Sequence, residues 1–426
     1  MNTVVVGGGV AGLCTAYRLT KAGHRVAVRE SAPHWGGMVS PVEVAGVFVD
    51  SGAEAYATRG GHVHALCAEL GLTVVPPQGQ PHIWRPDGIH PMADGILGLP
   101  SRLDDPALEM LTAAERERLA EDLLLDPRVG ADAHTVGALA KARIGEGATA
   151  KLVGPVAEGI YGTTPDHLPL SAVAPGLHEA VLREGSLIAA VAALHTQGGH
   201  PVEQPVGGMF QLIEALVDRL QDDGTDVRAA AAITGIKRSG QGFHLHTHDG
   251  EELNADRVVL ATPAAVTVKL LAGLGVDLVA PPVSGARQII LAATSPGLRS
   301  HAVGSGVLVA GRAHVRAKAL THYSAKWPWA AGEGVEVLRL SYPEQVFPTR
   351  QEVIADASTL TGVRIVDSEV TGLASVSWDA IPARLETANR DYLITEAARI
   401  GIDLVGGWLD GNGVATVIAG CRRVVV

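Results

Sequence analysis

The feature that most constrains this chain is a strand, a glycine-rich turn and a helix at its N-terminus. Val4 to Val6 are a β-branched run, which is typical of a strand covered on both faces. Gly7, Gly9 and Gly12 follow in the spacing G-x-G-x-x-G. In such a turn the first glycine permits a tight bend, the second lets backbone approach a pyrophosphate, and the third lets helix and strand pack closely. The pattern predicts a dinucleotide-binding turn.

A helix and a second strand complete the pattern. Leu13 to Lys21 is amphipathic, and its preceding turn, with Val10 and Ala11, would present backbone amides to the phosphates. Glu30 ends the next apolar run, "RVAVRE", 18 residues after Gly12. At that position a carboxylate accepts hydrogen bonds from a ribose diol. Strand, glycines, helix, strand and acid therefore occur in the order that a dinucleotide site requires.

The residues after Glu30 favour FAD over NAD. Gly36 and Gly37 lie in "SAPHWGGMVS", and this glycine pair resembles the second FAD-binding turn of the flavin amine-oxidase superfamily. The resemblance implies FAD as the cofactor, with Met38 and Val39 near its isoalloxazine ring. The next stretch, "VFVDSGAEAYATR", is similar to the strand and turn that follow in that superfamily.

Later apolar runs predict that the chain returns to the same sheet. "ADRVVLATP" is similar to a flavin-domain strand, and "GIDLVGGWLDGNGVATVIAG" is predicted to form a strand, a glycine turn and a helix. We therefore expect an α/β fold, a Rossmann-like FAD-binding domain of the amine-oxidase type with an inserted α+β substrate domain. The FAD domain would comprise residues 1–60, 201–265 and 371–426, and the substrate domain residues 61–200 (mostly helical) and 266–370 (mostly β).

Composition excludes several classes of protein. A net charge of −11 argues against a nucleic-acid partner, which would require a basic face. The three cysteines form no CxxC pair, which is typical of reduced, buried thiols in a cytoplasmic protein. We expect no signal peptide and no integral membrane segment, because no apolar run reaches the roughly 18 residues that span a bilayer. The oligomeric state is left open, and a homodimer is compatible with the sequence.

Five stretches resemble the protoporphyrinogen and coproporphyrinogen III oxidases, in particular their bacterial, Gram-positive form. They are "SGAEAYATR", "EGIYGTTPDHLPLSAVAP", "GVLVAGRAHVRAKALTHYSAKWPW", "VLRLSYPE" and "GGWLDGNGVATVIAG". The resemblance implies an oxidase in which a methylene hydrogen of a reduced tetrapyrrole leaves as hydride to flavin N5. Oxygen would reoxidise the flavin and yield hydrogen peroxide. No catalytic side chain is implied, because the flavin performs the chemical step.

The same resemblance assigns further site residues. Besides those named above, the expected cofactor contacts are Val227, Ala261, Trp378, Gly407, Leu409, Gly413 and Val414. The expected substrate contacts are Arg59 and Tyr161 from the resemblance, Arg312 and Lys318 from a run of basic residues, and Arg384 from a segment that departs from the family pattern. Arg59, the basic residue after the Gly-Ala-Glu turn, is our main candidate to bind a substrate carboxylate through its bidentate guanidinium. Tyr161 lies in a Gly-Ile-Tyr-Gly run, which is a poor helix former. The resemblance implies that Tyr161 marks a turn near the cavity at the domain junction, and a packed structural tyrosine is the alternative interpretation.

The basic stretch before Lys318 has two interpretations. If it is extended, Arg312, His314, Arg316 and Lys318 share one face, since side chains alternate along a strand. That face is either a solvated basic surface or a surface that binds an anionic substrate.

One segment departs from the family pattern and leaves the substrate open. The oxidases carry Trp, then Pro-Gln-Tyr and a Gly-His pair, whereas this chain keeps Trp378 and Pro382 but has Ala383 and Arg384 in place of Gln-Tyr. An alternative function is therefore a flavin amine oxidase or desaturase of secondary metabolism with a smaller substrate. A flavin-binding protein without turnover is a third possibility.

Three histidines alternate along a predicted strand in a spacing that could bind a metal. His244, His246 and His248 would share one strand face, but no acid or cysteine lies in register with them, so we expect a solvent-facing strand and no metal site.

Overall fold

The structure is a computed structural model that describes residues 1–195, 201–276, 278–301, 303–311, 314–332, 334–383, 385 and 387–424. Arg312 and Arg384 lie outside the described residues. The chain separates into two units, each built from stretches that are distant in sequence. Unit 1 comprises Met1–Pro77, His200–Gln288 and Val376–Val426, and unit 2 comprises Gln78–Gly199 and Ile289–Ser375.

The first two pieces of unit 1 end at Pro77 and Gln288, later than the predicted ends at residues 60 and 265. Its third piece starts at Val376, later than the predicted start at residue 371. The helix that follows residue 60 buries Val63 and Cys67 in the same hydrophobic cluster as Leu13. The helix that follows residue 263 buries Leu270 and Leu271 with Val4. Both helices therefore belong to the unit that contains the N-terminal strand.

The strands are numbered in chain order. The first eleven are β1 Asn2–Val6, β2 Arg25–Arg29, β3 Pro41–Val44, β4 Val47–Asp50, β5 Tyr56–Ala57, β6 Val74–Val75, β7 Pro81–Arg85, β8 Gly88–Pro91, β9 Gly95–Ile96, β10 Leu99–Pro100 and β11 Val202–Pro205. They are followed by β12 Asp226–Arg228, β13 Ile233–Ser239, β14 Gly242–Thr247, β15 Glu252–Ala255, β16 Arg257–Leu260, β17 Val283–Ala293, β18 Gly306–Val309, β19 Ala319–His322, β20 Glu336–Pro343, β21 Val370–Pro382 and β22 Ile402–Leu404.

The helices are numbered in the same way. The first nine are α1 Val10–Lys21, α2 His62–Glu69, α3 Ala113–Ala120, α4 Val136–Ile144, α5 Glu146–Ala148, α6 Gly154–Val156, α7 Leu170–Val173, α8 Leu177–Glu184 and α9 Leu187–His195. They are followed by α10 Phe210–Asp222, α11 Ala264–Ala272, α12 Pro296–Ser300, α13 Tyr323–Lys326, α14 Arg350–Thr361, α15 Thr387–Arg399, α16 Gly407–Asp410 and α17 Val414–Gly420. Short 3₁₀ turns lie at Pro106–Met110, Glu121–Leu123, Pro165–His167, Pro328–Ala330, Asp367–Glu369 and Cys421–Arg423, and π-helical turns at Thr149–Val153 and Ala157–Tyr161.

A parallel sheet forms the centre of unit 1. Its strand order is β12-β2-β1-β16-β22, so the N-terminal strand lies in the middle. Val4 pairs with Ala27 of β2 and with Val258 of β16, and all of β1 except Asn2 is buried. The predicted β-branched strand, the helix and the return strand are all present, and the α/β fold class is confirmed.

Unit 2 contains a helical cluster and a sheet. The helices between residues 106 and 195 bury a core of leucine, valine and alanine side chains. The sheet has seven strands in the order β21-β17-β20-β19-β18-β7-β8, and β7 and β8 form a hairpin around Pro86-Asp87-Gly88. Among the described residues, no helix is long and apolar enough to cross a membrane.

A buried ion pair joins the helices of unit 2. Arg143 Nε lies 2.6 Å from Asp122 Oδ1, and both side chains are 0% exposed. Asp122 Oδ2 also accepts the backbone N–H of Ile188 at 2.9 Å, so one carboxylate connects three segments. Removing one partner of such a pair leaves an uncompensated buried charge.

We therefore expect Asp122→Ala to lower the free energy of unfolding by about 3–5 kcal/mol. The matched control is Asp166→Ala, which removes the surface partner of Lys141, a pair that is 39% and 51% exposed. That control should cost less than about 1 kcal/mol. Urea unfolding followed by circular dichroism measures both, and equal losses would contradict the assignment.

A second buried carboxylate lies at the start of β20. The hydrogen bond from His322, together with those from Ser324 and Arg299, lowers the pKa of Glu336 to about 2 although burial opposes the shift. Ser324 Oγ donates to Glu336 Oε2 at 2.6 Å, and Arg299 Nε to Oε1 at 3.0 Å. The carboxylate thus holds the segment that contains α13 against β20.

This pKa shift predicts a pH dependence of stability. Because the pKa of Glu336 is lower in the folded chain than its usual 4.5, its contribution is complete above that value and is lost as the pH falls toward about 2. The unfolding free energies of wild type and Glu336→Gln should therefore differ most near neutral pH. The difference between them should shrink as the pH falls from about 4 toward about 2. A difference that stays constant from pH 7 to pH 3 would contradict this prediction.

Candidate functional site

The turn between β1 and α1 is closed by backbone contacts that leave no room for side chains. Gly7 has φ +110°, and its N–H donates to Arg29 O at 2.8 Å. A Cβ atom on Gly12 would lie 1.9 Å from Gly7 O, and one on Gly7 would lie 2.6 Å from Ala261 O. Gly7 and Gly12 are therefore required for β1, α1 and the end of β16 to approach one another, as the fingerprint predicts.

The first turn of α1 presents free amides. Gly9 precedes the helix in an extended conformation and has no side chain to cap it. The N–H groups of Val10, Ala11 and Gly12 have no partner within the helix, since the first turn of any α-helix leaves its donors unsatisfied. With the positive end of the helix dipole, these amides form a site for an anionic group.

A second glycine turn lies directly beside the first. Gly36 and Gly37 have φ +105° and +58°, and the N–H of Gly36 donates to Gly8 O at 2.9 Å. Among the described residues, the single atom within 4 Å of a Cβ on Gly37 would be Gly9 Cα, and that of a Cβ on Gly9 would be Gly36 O, each at 3.8 Å. The two turns thus border an open groove that side chains at Gly9 and Gly37 would fill, which fits a pyrophosphate.

Glu30 ends β2 at the edge of this groove. Its Oε2 accepts the N–H of Gly8 at 2.6 Å, while Oε1 accepts the N–H of Ala32 at 2.7 Å. The carboxylate is half-buried and is held by backbone amides of the glycine turn. It therefore has a defined position beside the turn, as the ribose-binding role requires.

The strand next to Glu30 contains Val227, which is half-buried and pairs with Val28. The N–H of Glu30 donates to Arg228 O at 3.0 Å. Arg29, whose side chain is 0% exposed, binds Glu251 and Asp226 at 2.7 and 2.6 Å. Burial acts to lower the pKa of Arg29, but the hydrogen bonds that its guanidinium donates to Glu251 and Asp226 outweigh burial and raise the pKa. This ion cluster fixes the edge of the sheet that carries Glu30 and Val227.

Met38 and Trp378 both lie beside Gly52. The Trp378 Nε1–H donates to Ser51 O at 3.1 Å. A Cβ on Gly52 would lie 2.2 Å from Met38 O and 3.3 Å from the Trp378 ring, so Gly52 leaves room for both. Met38 is 37% exposed, whereas Val39 is 3% exposed. The structure thus places two of the expected cofactor contacts, Met38 and Trp378, next to the same glycine.

The C-terminal glycine turn has buried side chains. Gly407 begins α16 and Gly413 precedes α17. Leu409 is 0% and Val414 4% exposed, so both can meet a cofactor only through backbone groups. The N–H of Ala261 donates to Val6 O at 2.8 Å, and its carbonyl adjoins Gly7.

The predicted substrate residues are found in both units. In unit 1, Arg59 is exposed beside β5, and within the described part of the chain it has no carboxylate partner. In unit 2, Lys318 is half-buried and its N–H donates to Ser341 O at 2.8 Å. His314 and Arg316 alternate with buried Val315 and Ala317, as expected of an extended segment.

Tyr161 differs from expectation in its local structure. The Gly-Ile-Tyr-Gly run was expected to be a turn, but Ala157–Tyr161 is a π-helical turn that ends at Gly162, with φ +69°. A Cβ on Gly159 would lie 2.7 Å from the Leu308 side chain, so this glycine lets the helix pack on β18. Tyr161 remains 44% exposed at the end of the helix.

Sequence reasoning missed a buried carboxylate at the end of β4 in unit 1. Asp50 is 0% exposed and accepts Gln204 Nε2 at 2.6 Å and the N–H of Phe210 at 3.2 Å. It joins β4 to the start of α10. The only local signal was an aspartate before Ser-Gly, because its partners lie 154 and 160 residues away.

Two expectations about cysteines and metals can be compared with the structure. Cys14, Cys67 and Cys421 are free and buried. Among the described residues there is no group of three or more His, Cys, Asp or Glu that could hold a metal.

Comparisons with known proteins show what this chain is similar to. The model of the family described as flavin containing amine oxidoreductase matches residues 10–287. The chain is 31% identical to the coproporphyrinogen III oxidase of Mycobacterium leprae, over 99% of this chain and 96% of that protein. It is 24% identical to the protein of the same name from Bacillus subtilis, over 79% and 76% of the two chains.

A solved structure shares the fold. It is the crystal structure of an Exiguobacterium sp. protein, provisionally named a protoporphyrinogen oxidase, with a TM-score of 0.84 and 23% identity. The alignment covers 99% of this chain and 97% of that chain. At this identity the similarity establishes the fold alone.

Substitution by alanine should have different effects at Gly9, which borders the open groove, and at Gly12, which is packed against Gly7. Gly9→Ala should leave the apoprotein as stable as wild type, because Gly9 has φ −76° and its Cβ would meet open space. It should nevertheless weaken flavin binding by filling the groove. Gly12→Ala should reduce soluble, folded protein, because its Cβ would lie 1.9 Å from Gly7 O.

Thermal unfolding of the apoproteins and titration with flavin separate the two effects. Wild-type flavin affinity in Gly9→Ala would contradict the placement of the groove.

Proposed function

Because the chain belongs to the flavin containing amine oxidoreductases and, within them, to the protoporphyrinogen/coproporphyrinogen III oxidases, we propose that it oxidises a porphyrinogen with FAD. The substrate is coproporphyrinogen III, or protoporphyrinogen IX, and the products are the porphyrin and hydrogen peroxide. The observation that carries the proposal is the similarity to the Mycobacterium leprae oxidase along 99% of the chain. The two adjacent glycine turns support it.

The residues of unit 1 bind FAD in this proposal. The amides of Val10, Ala11 and Gly12 bind the pyrophosphate in the groove between Gly9 and Gly37. Glu30 accepts the ribose hydroxyls, and Val227 lies along the adenine. Met38 and Val39 would border the isoalloxazine ring, and Trp378, which also lies beside Gly52, would be a further contact. The remaining contacts are backbone groups of Gly7, Gly36, Ala261, Gly407, Leu409, Gly413 and Val414.

The chemistry that bound FAD supplies is acceptance of a hydride at N5 and reoxidation by O₂. The protein contributes by holding the substrate so that a methylene hydrogen faces the reactive atom, which is a matter of orientation. No side chain needs to act as an acid or base, since the pyrrole N–H proton can leave to solvent.

Substrate carboxylates require cations, and Arg59 is the main candidate. An exposed guanidinium without a carboxylate partner can bind a propionate through two parallel hydrogen bonds. Lys318 and Tyr161 in unit 2, with Arg312 and Arg384 outside the described residues, are further proposed contacts. Arg316 is a weaker candidate because it is already paired with Glu352.

One observation favours a second function. Ala383, where the porphyrinogen oxidases carry Gln, is exposed, and its N–H donates to Pro282 O at 2.9 Å. If this segment shapes the substrate site, the loss of Gln-Tyr suits a flavin amine oxidase or desaturase that acts on a smaller molecule.

The test mixes the purified flavoprotein with freshly reduced coproporphyrinogen III in air and follows porphyrin fluorescence and peroxide. We expect a rate well above the autoxidation blank. Arg59→Ala should raise KM about 10- to 100-fold with a smaller effect on kcat, because it removes a charged hydrogen bond made before the chemical step. Arg399→Ala, which removes a surface arginine paired with Glu396, is the matched control and should leave both constants unchanged.

Three results would revise the proposal. A flavin-loaded protein with no rate above the blank for either porphyrinogen would overturn it. Flavin bleaching by a small amine would then support the second function, and the absence of bleaching by any substrate would indicate binding without turnover.

A further inference from the structure

The last helical turn of the described chain, Cys421–Arg423, contacts two separate elements of unit 1. One is α1, whose first turn lines the proposed pyrophosphate groove. The other is α16, which begins the C-terminal glycine turn between Gly407 and Gly413. No motif in the sequence marked this turn, and no role is assigned to it by the proposed function.

Its contacts to α1 come from Cys421. Arg18 NH1 donates to Cys421 O at 2.6 Å, and Cys421 Sγ–H donates to Ala11 O at 3.4 Å. Cys421 is 0% exposed and Cys14 is 2% exposed. The hydrogen bond with Cys14 lowers the pKa of Cys421, and the same bond raises that of Cys14. The turn is therefore packed and hydrogen-bonded along the side of α1.

Its contact to α16 comes from Arg423. NH2 donates to Asp410 Oδ2 at 2.9 Å and NH1 donates to Asp410 Oδ1, which makes a bidentate pair. Asp410 is 5% exposed. A Cβ on Gly420 would lie 2.1 Å from Asp410 Oδ2, so this glycine leaves the space that the carboxylate occupies. A two-bond pair of this kind fixes direction as well as distance.

Together these contacts set the spacing between α1 and the glycine turn. Asp410 is three residues from Gly413 and directly precedes Gly411, which has φ +110°. Trp408 and Leu409 pack the start of the turn into the core, and the ion pair adds a restraint at Asp410, directly before the glycines at 411 and 413, which have no side chain to hold them.

We propose that Cys421–Arg423 is a clamp that positions the Gly407–Gly413 turn against the pyrophosphate helix, with Asp410 and Arg423 as positioning residues for FAD binding. The inference rests on the proposed role of that turn in binding FAD. It predicts that a surface-reaching arginine near the C-terminus controls cofactor affinity without touching the cofactor.

The test compares neighbouring arginines. Arg423→Gln removes the clamp, whereas Arg422→Gln removes a side chain that contacts only His62, at 2.9 Å, among the described residues. Each protein is stripped of flavin, its thermal unfolding is recorded, and FAD is titrated back while flavin fluorescence is followed. We expect Arg423→Gln to raise the Kd for FAD about 10- to 100-fold, as for the loss of a charged hydrogen bond, and Arg422→Gln to change it less than about twofold.

A double-mutant cycle separates positioning from general loss of stability. Asp410→Asn should raise the Kd as Arg423→Gln does, and the double variant should be no worse than either single one, because both remove the same contact. Arg423→Lys, which keeps the charge but not the two-bond geometry, should bind with intermediate affinity. It also provides a measurement if the glutamine variant does not fold.

The proposal is overturned if Arg423→Gln and Arg422→Gln bind FAD equally well, or if the effects of Asp410→Asn and Arg423→Gln multiply. The titration contains no porphyrinogen. A protein that shows the clamp dependence but oxidises no porphyrinogen would therefore overturn the proposed substrate and support the clamp.

Discussion

Everything in unit 1 depends on the absence of two side chains. Because Gly12 lacks a Cβ, the carbonyl of Gly7 can lie against α1 at that residue, where an added Cβ would lie 1.9 Å from Gly7 O. Because Gly7 lacks one, it can lie against Ala261 at the end of β16. This approach places the first turn of α1 directly over the end of β1. The second glycine turn then bonds to Gly8 O, and Glu30 bonds to the N–H of the same residue. Close packing at these glycines therefore positions the helix amides, Glu30 and the second turn.

The parts of this arrangement that are local in sequence could be predicted. The β-branched run before Gly7, the three glycines and the acid at Glu30 each occupy the place expected, because strand, turn and helix are determined by neighbouring residues. The glycine pair after Glu30 likewise indicated a second turn, and the structure shows it hydrogen-bonded to the first. The C-terminal strand, turn and helix were also predictable from apolar periodicity and glycine.

What could not be predicted depends on partners far away in the chain. Arg29 ends a strand, and nothing near it in the sequence indicates that it binds Asp226 and Glu251. Likewise, nothing near Asp50 in the sequence indicates that it accepts a hydrogen bond from Gln204. Cys14 and Cys421 are distant in the sequence, and only the fold brings their thiols into a hydrogen bond. The helical conformation of Gly159–Tyr161 was missed because packing on Leu308 outweighs the poor helix propensity of glycine.

The three-part composition of unit 1 also bears on the order in which the chain can fold during synthesis. Its central sheet ends with β22, Ile402–Leu404, and its first helix is packed against Cys421. An emerging chain therefore cannot complete this unit until Cys421 has left the ribosome. The helical core of unit 2 draws on residues between 93 and 191, which are made much earlier. While the intervening residues are made, the nascent protein thus has a complete helical core and an incomplete central sheet in unit 1, whose exposed strands are a hazard for aggregation until Cys421 emerges.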